Sequence, residues 1–130
     1  MIEHRTYPTD RRGNDAGPST PWGKAQGSYK LARGVIFYYT AGHGGMKVSK
    51  RIADKYMTEY ARTHCIDRYG AYWFEEDCDI NLPLYELSLN MPGFATIAVE
   101  FSKNATVEKL PEYIKRWNPD YPFAAKEAAK

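Results

Sequence analysis

The sequence predicts a small α+β domain, a mainly antiparallel sheet packed against one long helix and one or two short ones. Three observations predict it. Val35-Ile36-Phe37-Tyr38-Tyr39-Thr40 is β-branched and aromatic and apolar on both alternating faces, the pattern of a largely buried central strand. Ile52, Ala53, Tyr56, Met57, Tyr60, Ala61 and His64 recur at spacings of three and four, the stripe of an amphipathic helix. Phe94 to Phe101 alternates Ile97, Val99 and Phe101, as a half-buried strand does.

The elements follow in order. Residues 1 to about 28 hold Pro8, Pro18 and Pro21 with glycines 13, 17, 23 and 27 and almost no aliphatic side chain, so a flexible arm is expected over 1–19. Gly34 opens the central strand. Ser49 caps a helix over 50–66, and Tyr69 to Phe74 reads as a short strand. Residues 84–89 fit two patterns: Ile80, Leu84 and Leu87 suit a helix, whereas Tyr85, Leu87 and Leu89 against Glu86, Ser88 and Asn90 suit a strand. Pro83 disfavours a helix unless it lies in the first turn. The strand is preferred, paired with 94–101 through a turn at Asn90-Met91-Pro92-Gly93. Thr106 caps a short helix that Asn118-Pro119 ends. A single globular domain over 20–122 and a tail over 123–130 complete the organisation.

Composition narrows the function. The 130 residues are 43% hydrophobic and 26% charged with a net charge of +2, which excludes a disordered or fibrous chain and a strongly acidic nucleic-acid mimic. An uncharged run as long as any in the chain, Gly34 to Met46, is too short to span a bilayer, and no secretory or lipidation signal is visible. A cytoplasmic protein with no membrane contact is expected, its Cys65 and Cys78 reduced. Residues 69–101 carry six acids and no base, an acidic segment between basic neighbours. Arg11, Arg12, Lys47, Lys50, Arg51 and Lys55 lie near tyrosines, but the low net charge makes nucleic acid an unexpected main partner. Eleven Tyr, five Phe and three Trp suit a surface that recognises another molecule.

Two segments carry candidate chemistry. Thr40-Ala41-Gly42-His43-Gly44-Gly45 sits between the central strand and the expected long helix. Backbone N–H groups around Gly42, Gly44 and Gly45 suit an anion, and His43 supplies a proton. Trp73-Phe74-Glu75-Glu76-Asp77-Cys78-Asp79 sets four carboxylates beside two aromatics, an arrangement that raises pKa values if the acids share a partly buried site. His43, His64, Cys65 and Cys78 lack the short spacings of a metal site, so neither metal nor cofactor is expected.

These two segments, with Thr20-Pro21-Trp22-Gly23-Lys24-Ala25-Gln26 before them and Trp117-Asn118-Pro119-Asp120-Tyr121 after, together resemble an uncharacterised domain family found in phages and plasmids. The resemblance covers about residues 19 to 122. It implies a mobile-element setting, in the cytoplasm of a host, and no assigned activity. Small stand-alone proteins of such elements often act on the host by blocking a defence system, as anti-CRISPR-like inhibitors do.

The favoured reading is a non-enzymatic protein that binds a host factor through Tyr72, Trp73, Glu75, Glu76 and Asp77. The alternative is a small hydrolase or anion-binding protein in which Gly42, Gly44 and Gly45 hold an anionic ligand, His43 transfers a proton and Glu76 orients the imidazole. No complete catalytic constellation stands in the sequence, which favours the first.

Overall fold

A computed structural model of the chain describes residues 2–9 and 16–123. The α+β class holds, with a mainly antiparallel sheet. Its strands are β1 (Glu3–Thr6), β2 (Ser19–Thr20), β3 (Gly23–Lys24), β4 (Gly27–Ala32), β5 (Val35–Tyr39), β6 (Gly44–Ser49), β7 (Ile66–Arg68) and β8 (Ala71–Glu75). Six form one sheet in the order β1-β4-β5-β6-β8-β7, with every neighbouring pair antiparallel, and β2 pairs with β3 as a separate hairpin. The helices are α1 (Lys50–Tyr56), α2 (Glu59–Thr63), α3 (Asn81–Asn90), α4 (Phe94–Phe101) and α5 (Leu110–Trp117).

β5 lies inside the sheet, and its two-residue period explains why both sides are apolar. Val35 and Phe37 face the helices and join Met46, Val48 and Phe74 in a core with Leu82, Leu87, Phe94, Leu110 and Ile114. Ile36 and Tyr38 face the other way, with Trp73, Ala25, Tyr7 and Trp22. The β2–β3 hairpin carries Trp22 onto this second face, where its ring meets Trp73 edge-on at 6.0 Å. α3 packs on α4 and α5, α4 reaches β4, and α1 reaches β6 and β8.

The structure corrects four expectations. The long helix over 50–66 is two helices, because Thr58 leaves the helical path with ψ 162°. Its backbone N–H and its hydroxyl both donate to Glu86, each at 2.7 Å, while its Oγ1 caps α2 by accepting from Ala61 N. The expected hairpin over 84–101 is instead the helix pair α3 and α4. Pro83 falls in the first turn, where its missing N–H costs nothing. Gly93, at φ 80°, adopts the left-handed conformation that starts α4, and Phe94 and Ala98 are buried one turn apart while Val99 is exposed. Part of the expected arm is ordered: Glu3–Thr6 pair with β4 as an edge strand, held by Ile2 N–H donating to Glu100 and by His4 stacked on Tyr29 at 4.3 Å. The last helix starts at Leu110 rather than just after Thr106, whose hydroxyl oxygen accepts from Lys109 N in a preceding turn. The expected tail lies almost wholly outside the described residues.

Candidate functional site

The glycine segment turns one strand into the next rather than a strand into a helix. Thr40 closes the β5–β6 turn: its N–H and hydroxyl both donate to His43 O, at 2.7 and 2.6 Å, and its Oγ1 accepts from His43 N. Gly44 and Gly45 are strand residues paired with Tyr39 and Tyr38, so their backbone belongs to the ladder and does not line an anion cradle. His43 is exposed at the turn. Gly45 pairs on its other side with Glu75, and Glu76 N–H donates to Gly44 O at 3.0 Å. The histidine turn and the acidic segment therefore do meet at one end of the sheet.

Alternation along β8 separates the residues grouped in the sequence. Trp73, 2% exposed, lies on the second face with its indole N–H donating to Arg68 O at 2.7 Å. Tyr72 points to the helical side, with Lys50 Nζ 5.4 Å over its ring. Glu75 is half-buried and accepts from the Cys78 thiol at 3.8 Å, whereas Glu76 and Asp77 are exposed in the turn that follows.

That turn faces the end of α5. Glu76 and Asp77 line an open bowl of about 570 Å³ together with Arg116, Trp117, Tyr113 and Asn104. Buried Leu110 and Ile114 set the inner seam of α5, and Trp117 extends it into solvent with 52% of its surface exposed. A large aromatic beside one cation and two carboxylates is the composition of a contact surface for another molecule. Trp117 opens a segment prominent in the sequence, yet its place in one bowl with the acids follows only from the helical reading of residues 81–90 that sequence alternation argued against.

Behind the acidic turn, Asp79 lies near α2. Burial raises its carboxyl pKa; Asn118 nearby and the His64 charge lower it, and Glu75 raises it. Asn118 does not reach full hydrogen-bond geometry through its buried amide nitrogen. The Tyr60 hydroxyl donates to Asp120 at 2.7 Å and lies 3.2 Å from Asn118 Oδ1, and His64 stacks on Tyr60 at 3.7 Å. His64 Nδ1 is 2.8 Å from Tyr60 O, and since a carbonyl only accepts, that nitrogen carries a proton. Burial pushes the Cys65 thiol up to about 12 and also raises that of Cys78, so neither is an activated nucleophile. Among the described residues no three His, Cys, Asp or Glu side chains gather as a metal would require. No described helix is long and apolar enough to cross a membrane.

A small antiparallel sheet with helices on one face, a tryptophan hairpin on the other and an acid-and-tryptophan bowl at its end defines the class structurally. The chain belongs to the family described as a domain of unknown function, DUF7007, which matches residues 15–129. No curated protein and no solved structure matches it.

Proposed function

We propose that this protein is a non-enzymatic binding protein of a mobile genetic element that engages a host protein in the host cytoplasm, in the manner of a counter-defence inhibitor. The exposed Trp117 in one bowl with Glu76 and Asp77 carries the reading. An indole with 52% of its surface in solvent carries apolar area that the fold does not bury, and covered by a partner it becomes an anchor inside a polar rim. Arg116 and the two acids lining the same bowl fix the partner's orientation by charge. Suppressed thiolates at Cys65 and Cys78 speak against covalent chemistry.

The test is native mass spectrometry of the tagged protein drawn gently from bacterial lysate, beside Trp117→Ala and Glu76→Lys/Asp77→Lys. The expected result is a discrete additional protein mass on the parent chain that both variants lose while melting at the parent temperature. A partner mass that survives in both variants sinks this surface. A retained small molecule in place of a protein sinks the partner reading.

A further inference from the structure

A second groove, on the helical side of the sheet's other end, has a different chemistry. It encloses about 500 Å³ between the turn joining β4 to β5, the outer face of α1 and Met91 in the turn after α3. Arg33, Arg51 and Lys55 line it, and no carboxylate does. Arg51 and Lys55 stand four residues apart on one helix, where like charges repel. The neighbouring charges on α1 are already matched: Lys50 bridges Asp67 at 3.1 Å and Asp54 meets Arg62 at 3.4 Å. Among the described residues neither Arg33 nor Arg51 has an ion-pair partner, and Lys55 lies 5.3 Å over the Tyr56 ring. The rest of the lining includes an apolar, half-buried part made of Ile52, Tyr56 and Met91.

We infer that this groove binds a phosphorylated ligand of nucleotide size, its phosphate among Arg33, Arg51 and Lys55 and its ring system over Ile52, Tyr56 and Met91. Guanidinium groups match a phosphate's paired oxygens, and three cations without an acid supply the compensation that a dianion needs. The volume suits a small molecule, and the apolar part of the lining gives a planar base a surface that a bare anion would not use. The inference is independent of the Trp117 surface.

Titration of the ¹⁵N-labelled full chain with the four nucleoside monophosphates, the parent nucleosides and inorganic phosphate tests it. A monophosphate should shift amides of Arg33, Gly34 and Arg51 to Tyr56, and bind at least about tenfold more tightly than its nucleoside or free phosphate. Arg51→Glu/Lys55→Glu should remove that binding without changing the melting temperature. Arg33→Gln serves the same purpose should the double variant fail to fold. Inorganic phosphate binding as tightly as the nucleotide overturns the proposal, as do shifts that map elsewhere or no shifts at millimolar ligand. A single-stranded oligonucleotide that binds far more tightly, with shifts spreading to Lys30 and Lys47, overturns it in favour of a nucleic-acid strand.

Discussion

Trp22 lies directly over Gly45, so that a Cβ at residue 45 would stand 2.8 Å from Trp22 Cζ3 and 2.5 Å from the backbone oxygen of Phe74. The same indole meets Trp73 edge-on at 82°. Three segments distinctive in the sequence, around Trp22, around Gly45 and around Trp73, thus share one packing purpose: they seal the face of the sheet that the helices leave open. What remains for recognition is the portion of the acidic segment beyond the strand, Glu76 and Asp77.

Gly45→Ala should destabilise the fold by about 2 kcal/mol, since the added methyl meets a backbone oxygen that cannot swing aside as well as a packed ring. Gly42→Ala, three residues earlier with nothing within 4 Å of its would-be Cβ, should stay within about 0.5 kcal/mol of the parent. Urea unfolding measures both. Equal midpoints for the two variants would mean that Trp22 does not sit on the sheet as described.

β5, β8 and the Ala53-Met57-Ala61 stripe were legible because their burial follows local periodicity. The stripe continues across the break between α1 and α2, all three residues being buried. The break itself was not legible, for it depends on Glu86, a residue 28 positions away from Thr58. Glu86 also explains why residues 84–101 read as a hairpin: as a strand it marks the solvent side, but it is fully buried and hydrogen-bonded. Trp73 read as a surface aromatic because the hairpin that covers it comes from a stretch with almost no aliphatic side chain, where the covering group is a single Trp22.

Glu86 should prove the most sensitive polar residue in the core. Its carboxylate has no exposed surface and accepts from Thr58 N, from Thr58 Oγ1 and from the Tyr121 hydroxyl. Glu86→Gln keeps the shape but turns an NH₂ toward one of these donors, and should cost about 2 to 4 kcal/mol in urea unfolding. Tyr121→Phe leaves two donors in place and should cost about 1 kcal/mol. A neutral Glu86→Gln would show that the carboxylate is not what holds the α1–α2 break.

Tyrosine ionisation should be coupled to alkaline unfolding. Burial raises the pKa of Tyr121, reinforced by its hydrogen bond to Glu86; burial and Asp120 raise Tyr60, and burial raises Tyr38. The folded state therefore holds these protons after the unfolded chain has released them at about 10, so stability is full below that pH and falls as pH rises above it. Absorbance at 295 nm should show at least Tyr60 and Tyr121 of the eleven tyrosines titrating only together with loss of the near-ultraviolet circular dichroism, and Tyr38 titrating above the ordinary range. Smooth titration of all eleven with the fold retained would contradict their burial.

Thiol chemistry follows the same logic. With its pKa pushed up to about 12, Cys65 at pH 8 presents a thiolate fraction on the order of a thousandfold below that of an ordinary cysteine. Ellman's reagent should react with Cys65 correspondingly slowly in the native protein and rapidly after denaturation. A fast native phase that Cys65→Ser removes would reveal an activating group near α2.

Asp79 lies where burial and the neighbouring Glu75 disfavour its charge, against the smaller opposing effects of Asn118 and His64. A carboxyl whose folded pKa is raised binds its proton more tightly in the folded state, so its contribution to stability is present at acid pH and is lost as pH rises from 3.8. At neutral pH the ionised Asp79 thus works against folding, by less than about 1 kcal/mol because the half-exposed group is screened by water. Asp79→Asn should raise the melting temperature at pH 7, and this advantage should shrink as the pH is lowered toward 3.8. Melting temperatures of the two proteins across pH 3 to 8 decide the matter. Parallel curves would mean that the carboxyl titrates alike in both states, and a destabilised variant at pH 7 would mean that Asn118 and His64 outweigh burial.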